Sequence, residues 1–205
     1  MNKRQSLTSA TIVLAAIAVA GTLTATTAKR TAAKNEQIAE AAARKAVVKR
    51  GEYLVNIGGC NDCHTPFKMG PNGPEPDRTR LLSGHPEGLQ MPPAPKLPNG
   101  PWVWIGAGTN TAFAGPWGVS YAANLTPERL TGIGIWNEET FIRTIRTGRH
   151  WGVSRPILPP MPWQNVAGLT DSDLKAVYSY LRSIKAIKNQ VPDAVVAPPP
   201  AKPAA

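Results

Sequence analysis

The stretch Gly58–Pro66 reads GGCNDCHTP. It holds both cysteines of a 205-residue chain and one of its three histidines, all between Cys60 and His64. A glycine pair precedes them, and a helical pattern precedes the glycines. In VVKRGEYLVNIGG, Val47, Gly51, Leu54 and Val55 fall on one helical face. A glycine inside a helix is unfavourable by about 1 kcal/mol relative to alanine, so Gly51 implies close approach of a second helix. Gly58 and Gly59 end the first helix at the cysteines.

Four readings compete for Cys60, Cys63 and His64. A structural zinc site needs four ligands, and with no second cysteine pair His85 and His150 would both have to join. A thioredoxin-like dithiol follows a strand in a βαβ pattern, and no such pattern surrounds this motif. Chance juxtaposition in a loop is the third, and two cysteines in the whole chain make this spacing rare by accident. The fourth is covalent haem c. Two thiols two residues apart add across the porphyrin vinyl groups, and the adjacent histidine reaches the iron. Met69, Met91, Met161, His85 and His150 are the candidates for the opposite axial position. Met69 is too near His64 in sequence to cross the ring easily. Met161 stands among Pro159, Pro160 and Pro162, whose stiffness leaves little ordering entropy to lose. A lone methionine is more often adaptable core filler; this one is the expected sixth ligand. With the iron closed on both sides, gain and loss of one electron is the chemistry left.

Outward toward the N-terminus, residues 29–46 are rich in Ala, Lys and Glu and suit an exposed helical linker or stalk. Residues 1–28 start with Lys3 and Arg4 and continue without charge from Leu7 to Ala28. They read as a cleaved export signal or a retained membrane anchor. Either one carries the folded part out of the cytoplasm.

Outward toward the C-terminus, residues 66–123 hold more than half of the 21 prolines, with NG turns at 72–73 and 99–100. No helical or alternating period runs through them. A loop of this length covers something or acts directly, and Trp102, Trp104 and Trp117 seek a surface to bury against. Helical pattern returns after Trp136, with Asn137 as cap, Glu138 and Glu139 in the first turn, and Phe141, Ile142 and Ile145 as the apolar stripe. Gly148 stops it. RPILPPMPW (155–163) is extended. A last helix is capped by Thr170, with Leu174, Val177, Tyr178, Leu181 and Ile184 on one face. Residues 190–205 read as a flexible Pro/Ala tail.

The order of these elements resembles that of monohaem class I c-type cytochromes. The motifs that carry the resemblance are RGEYLV, CNDCH, the methionine strap and LTDSDLKAVYSYLRS. The run NLTPERLTGIGIWNEETFIRTIRTG followed by PPMPW is similar to the cytochrome c domains of bacterial periplasmic alcohol and gluconate dehydrogenase cytochrome subunits. The likeness covers roughly residues 45–188 and departs at the 66–123 insertion.

The resemblance implies an all-α fold, with a cytochrome c domain over 47–189 whose first and last helices cross. That crossing sets Gly51 near Tyr178 or Tyr180. It also implies that the second nitrogen of His64 donates to a backbone carbonyl in the proline-rich segment. The haem propionates need donors, for which Arg78, Arg80, Trp104, Trp117 and Asn124 are available.

The functional expectation is a periplasmic one-electron carrier with His64 and Met161 as axial ligands, not itself an enzyme. It passes electrons between a dehydrogenase or quinol-oxidising complex and an acceptor. The alternatives are a dedicated cytochrome subunit of a larger membrane-associated dehydrogenase and, less in keeping with the strap, a haem sensor or peroxidase. The net charge of +10 favours acidic partner faces, with Lys68, Arg149 and Arg155 as steering residues. No run of lysine and arginine of the nucleic-acid-binding type is present.

Overall fold

The structure, a computed structural model, describes residues 4–97 and 100–197, with side chains from residue 29 onward. The expected signal or anchor, one residue of the NG turn at 99–100 and the last part of the tail therefore lie outside the described side chains. Among the described residues no helix is long and apolar enough to cross a membrane. The chain divides into two units, Met1–Ala46 and Val47–Ala205.

Helix α1 runs from Arg4 to Ile57. In the first unit its residues 29–46 are exposed throughout, and Arg44 pairs with Glu40 one turn earlier at 3.4 Å. In the second unit the rest of α1 is followed by α2 (Cys60–His64), α3 (Glu138–Thr147), α4 (Trp163–Ala167) and α5 (Asp171–Ser183). The core joins Val55 of α1, Phe141 and Ile145 of α3, and Leu174, Val177, Tyr180 and Leu181 of α5, with Leu82 and Ile133 from loops.

Gly51 marks the crossing of α1 and α5. A methyl group there would collide with the carbonyl oxygen of Ala176 and come within 2.8 Å of Tyr180 Cβ. The backbones touch because no side chain stands between them. Tyr180, not Tyr178, is the aromatic partner; the Tyr178 hydroxyl donates instead to Trp136 O at 2.7 Å. Arg50 closes the rim of the crossing on Asp173 at 2.9 Å.

The capping residues act as their types dictate. Asn137 Oδ1 accepts from Thr140 N at 2.8 Å, and Thr170 Oγ1 accepts from Asp173 N at 3.1 Å. Each satisfies one of the orphan donors of a helix start.

The all-α expectation needs correction, because residues 66–123 are not one long loop. A hairpin pairs β1 (Phe67–Gly70) with β2 (Gly73–Pro76), Lys68 opposite Glu75. A four-stranded antiparallel sheet follows in the order β3 (Ile105–Gly106), β4 (Ala112–Gly115), β5 (Gly118–Tyr121), β6 (Val195–Val196). These strands carry Gly and Pro at positions where an alternating pattern would show apolar side chains, so periodicity misses them. The last strand corrects the tail as well: Val195 and Val196 pair with Val119 and Gly118. Trp102 and Trp104 are 74% and 45% exposed, not buried as expected.

Candidate functional site

Helix α2 is a single turn built on the CNDCH motif, so Cys60 and His64 lie four residues apart on one face and Cys63 precedes the histidine. Both cysteines are free and half-buried. The turn is fixed from outside. Asn110 Nδ2 donates to Asp62 O at 2.7 Å, and Asn61 Nδ2 donates to Asn56 Oδ1 at 2.8 Å.

His64 is buried, 8% exposed. Its Nδ1 lies 2.8 Å from the carbonyl oxygen of Ala123. A carbonyl only accepts, so Nδ1 carries the proton and Nε2 presents a lone pair. Nε2 has no hydrogen-bond partner among the described residues. Burial pushes the imidazole's pKa down, which keeps it in the neutral form that ligates metal. Burial has the opposite effect on the thiols: it raises Cys63 and pushes Cys60 up to about 11, so both are thiols at neutral pH.

The proline-rich segment builds the wall around this histidine. Gly84 N donates to His64 O at 2.8 Å, and Leu82 N donates to Thr65 Oγ1 at 2.9 Å. Gly84 has a positive φ of 77° and lies so close to Ala122 and Ala123 that a methyl group would strike their backbone. Glycine at 84 thus lets the chain pass beside the carbonyl that orients His64.

The axial candidates separate by environment. Met69 is 78% exposed on the β1–β2 hairpin. It lines, with Phe67, Leu89 and Met91, an apolar groove of about 470 Å³. His85 is fully buried with both ring nitrogens engaged, Nδ1 with Thr111 Oγ1 at 3.0 Å and Nε2 with Leu89 O at 2.9 Å. His150 lies edge-on to Trp136, ring centroids 5.3 Å apart. The strap is not extended throughout as expected: Pro159 and Pro160 form a turn and α4 begins at Trp163, with Met161 half-buried between them. Ser120 Oγ of β5 donates to Pro159 O at 2.6 Å.

The five candidate propionate donors also separate. Arg78 is exposed on a short 3-10 turn, Arg78–Arg80. Trp104 packs edge-on to Phe113. Trp117 Nε1 donates to Ser120 Oγ at 3.3 Å. Asn124 is committed inside the fold: its oxygen accepts from Thr126 N and Oγ1, and its nitrogen donates to Ile187 O at 2.8 Å. Arg80 differs from the others, because its Nε is buried and without a partner.

The residues present fit a c-type haem. A neutral histidine with a free Nε2 follows two thiols on one helical turn, and a buried guanidinium N–H lacks an acceptor. Among the described residues no three His, Cys, Asp or Glu side chains converge as a metal cage. Asn189, fully buried and bonded to Arg80 at 2.8 Å, is a member of this neighbourhood that sequence reading missed. It follows the last helical period, and only its buried polar contacts mark it.

Comparison with known proteins agrees with this arrangement at the level of the class. No protein-family model matches the chain. The chain is 29% identical, over 70% of its length, to the gluconate 2-dehydrogenase cytochrome c subunit of Pantoea cypripedii. It is 29% identical over 74% of its length to the cytochrome c subunit of the quinone alcohol dehydrogenase of Gluconobacter oxydans. Against the fructose dehydrogenase cytochrome subunit of Gluconobacter japonicus it is 27% identical over 69%. The chain spans about a quarter of the length of these relatives. Over about 70% of its length the chain is thus similar to cytochrome c subunits of gluconate, alcohol and fructose dehydrogenases.

Proposed function

We propose that this chain is a periplasmic one-electron carrier holding one haem c, attached through Cys60 and Cys63 and ligated by His64 and Met161. The observation that carries the reading is the hydrogen bond from His64 Nδ1 to Ala123 O at 2.8 Å, which leaves Nε2 unprotonated on the residue that follows Cys63. When bound, the haem supplies a reversible one-electron couple, and thioether ligation favours its reduced form.

The protein's part is to hold and shield. Ala123 fixes the tautomer and tilt of His64. The bond from Ser120 to Pro159 ties the strap of Met161 to β5 and reduces the entropy of placing its sulfur. Met161 is favoured over His85, whose ring nitrogens are both engaged, and over Met69, which is 78% exposed. Arg80 offers an unpaired N–H to an anionic propionate. Lys68, Arg149 and Arg155 steer an acidic partner; Lys68 is half-exposed beside Glu75 and Asp77, each at 3.9 Å. Electron transfer to such a partner slows as ionic strength rises, because screening shortens the field. A stopped-flow salt series with no dependence removes the steering role.

A second reading has support of its own. The relatives are cytochrome subunits of dehydrogenases, so this chain serves a dehydrogenase as its dedicated cytochrome subunit. Copurification separates the two readings. The first test of both is an optical spectrum of the purified, reduced protein with its intact mass. The expected result is a c-type spectrum with haem retained after denaturation. A colourless, folded preparation with two free thiols, from a host competent in haem attachment, sinks both.

A further inference from the structure

Arg80 has a buried Nε without a partner, and the same is true of the hydroxyl of Ser83, three residues later. The two are joined by a turn in which Ser83 N donates to Arg80 O at 3.1 Å. The segment carrying Ser83 lies against the histidine turn, because its two neighbours bond there: Leu82 N to Thr65 Oγ1 and Gly84 N to His64 O. Two unpaired donors thus lie on a segment bonded directly to His64 and Thr65.

One side chain bonds both residues, at atoms other than the unpaired donors. Asn189 Oδ1 accepts from Arg80 Nη2 at 2.8 Å and from Glu87 N at 3.0 Å. Its Nδ2 donates to Ser83 O at 2.7 Å and to His85 O at 2.8 Å. Its backbone N–H is held by Thr131 Oγ1 at 3.0 Å. Every polar atom of the amide is engaged, so it has no freedom to turn. A guanidinium is a rigid planar fork, so a bond held at Nη2 restrains Nε as well. A buried donor left unmatched is unfavourable unless an acceptor arrives.

We propose that Asn189 is a positioning residue. It locks Arg80 so that Nε–H, together with the Ser83 hydroxyl, receives a carboxylate of the haem. This rests on the haem reading above. A fixed cation beside the haem stabilises the reduced state, which carries one positive charge fewer, and so raises the midpoint potential.

The test is a double-variant cycle on the haem-loaded protein, read as midpoint potential by spectroelectrochemical titration. Asn189→Ala and Arg80→Gln should each lower the potential, and the double variant should fall no further than Arg80→Gln alone. An unchanged potential in Asn189→Ala, or shifts that add, overturns the inference, since a purely structural asparagine alters stability without that coupling. A second measurement needs no variant: the Arg80 Nε–H resonance in the ¹⁵N spectrum of the reduced wild-type protein. It should be protected from solvent exchange; exchange as fast as in an exposed arginine overturns the proposal. Wild-type protein without haem overturns the functional reading and this inference with it. A loaded protein whose potential ignores Asn189 overturns this inference alone.

Discussion

Where α1 meets α5, the buried side chains are Val55, Leu174, Val177, Tyr180 and Leu181, and the closest approach is made by a glycine. The segment from Thr65 to Thr126 also buries apolar side chains, Leu82, Ala112, Phe113 and Ala122, but beside them, with Asn189 from after α5, stands a buried polar set: Thr65, His85, Thr111, Ser120, Asn124 and Thr126. The first region is held by shape and exclusion of water. The second is held by polar groups that satisfy one another out of solvent, with Asn124 and Asn189 bonding to backbone and side chains far away in sequence. Apolar packing tolerates exchange of similar volumes. A buried polar network does not, because removing one member strands its partners. The helical region therefore provides the frame, and the polar region sets the orientation of His64.

The comparison can be broken in order of expected effect. Gly51→Ala drives a methyl group into the backbone of α5 and should destabilise the protein by about 3 kcal/mol. Urea unfolding measures it, and a loss below about 1 kcal/mol shows that the helices can part easily. Asn124→Ala strands Thr126 and the carbonyl of Ile187 and should lose about 2 kcal/mol. If it instead behaves like a surface change, the polar region is not held by its network.

The smallest effect is a pH slope. Burial holds the His85 imidazole below its ordinary pKa, so the folded chain binds that proton less readily than the unfolded one. Stability from this group is complete above the ordinary histidine value of about 6.5 and declines as pH falls below it. His85→Gln should remove that share of the slope in melting temperature against pH. An unaltered slope shows that His85 is not the group responsible.

Legibility followed the same division. The caps at Asn137 and Thr170, the apolar face of α5 and the significance of Gly51 could be read directly, because they depend on neighbours three or four residues away. The thiol–imidazole motif was legible for the same reason, its chemistry lying within five residues. The strands of 66–123 and the strand at Val195–Val196 were not legible. They are two to four residues long, too short for an alternation to show, and β6 pairs far along the chain, Val195 with Val119.

Residue types and short spacing alone determined that two thiols and an imidazole lie within five residues, and that a glycine-marked helix precedes them. Such features follow from local geometry, which the chain carries wherever it folds. Only the tertiary structure decided that Ala123 orients His64, that Asn124 is taken up inside the fold, and that Asn189 holds Arg80 across 109 residues. Those choices follow from satisfying buried polar groups, and the partner of such a group is whatever the completed fold brings within reach.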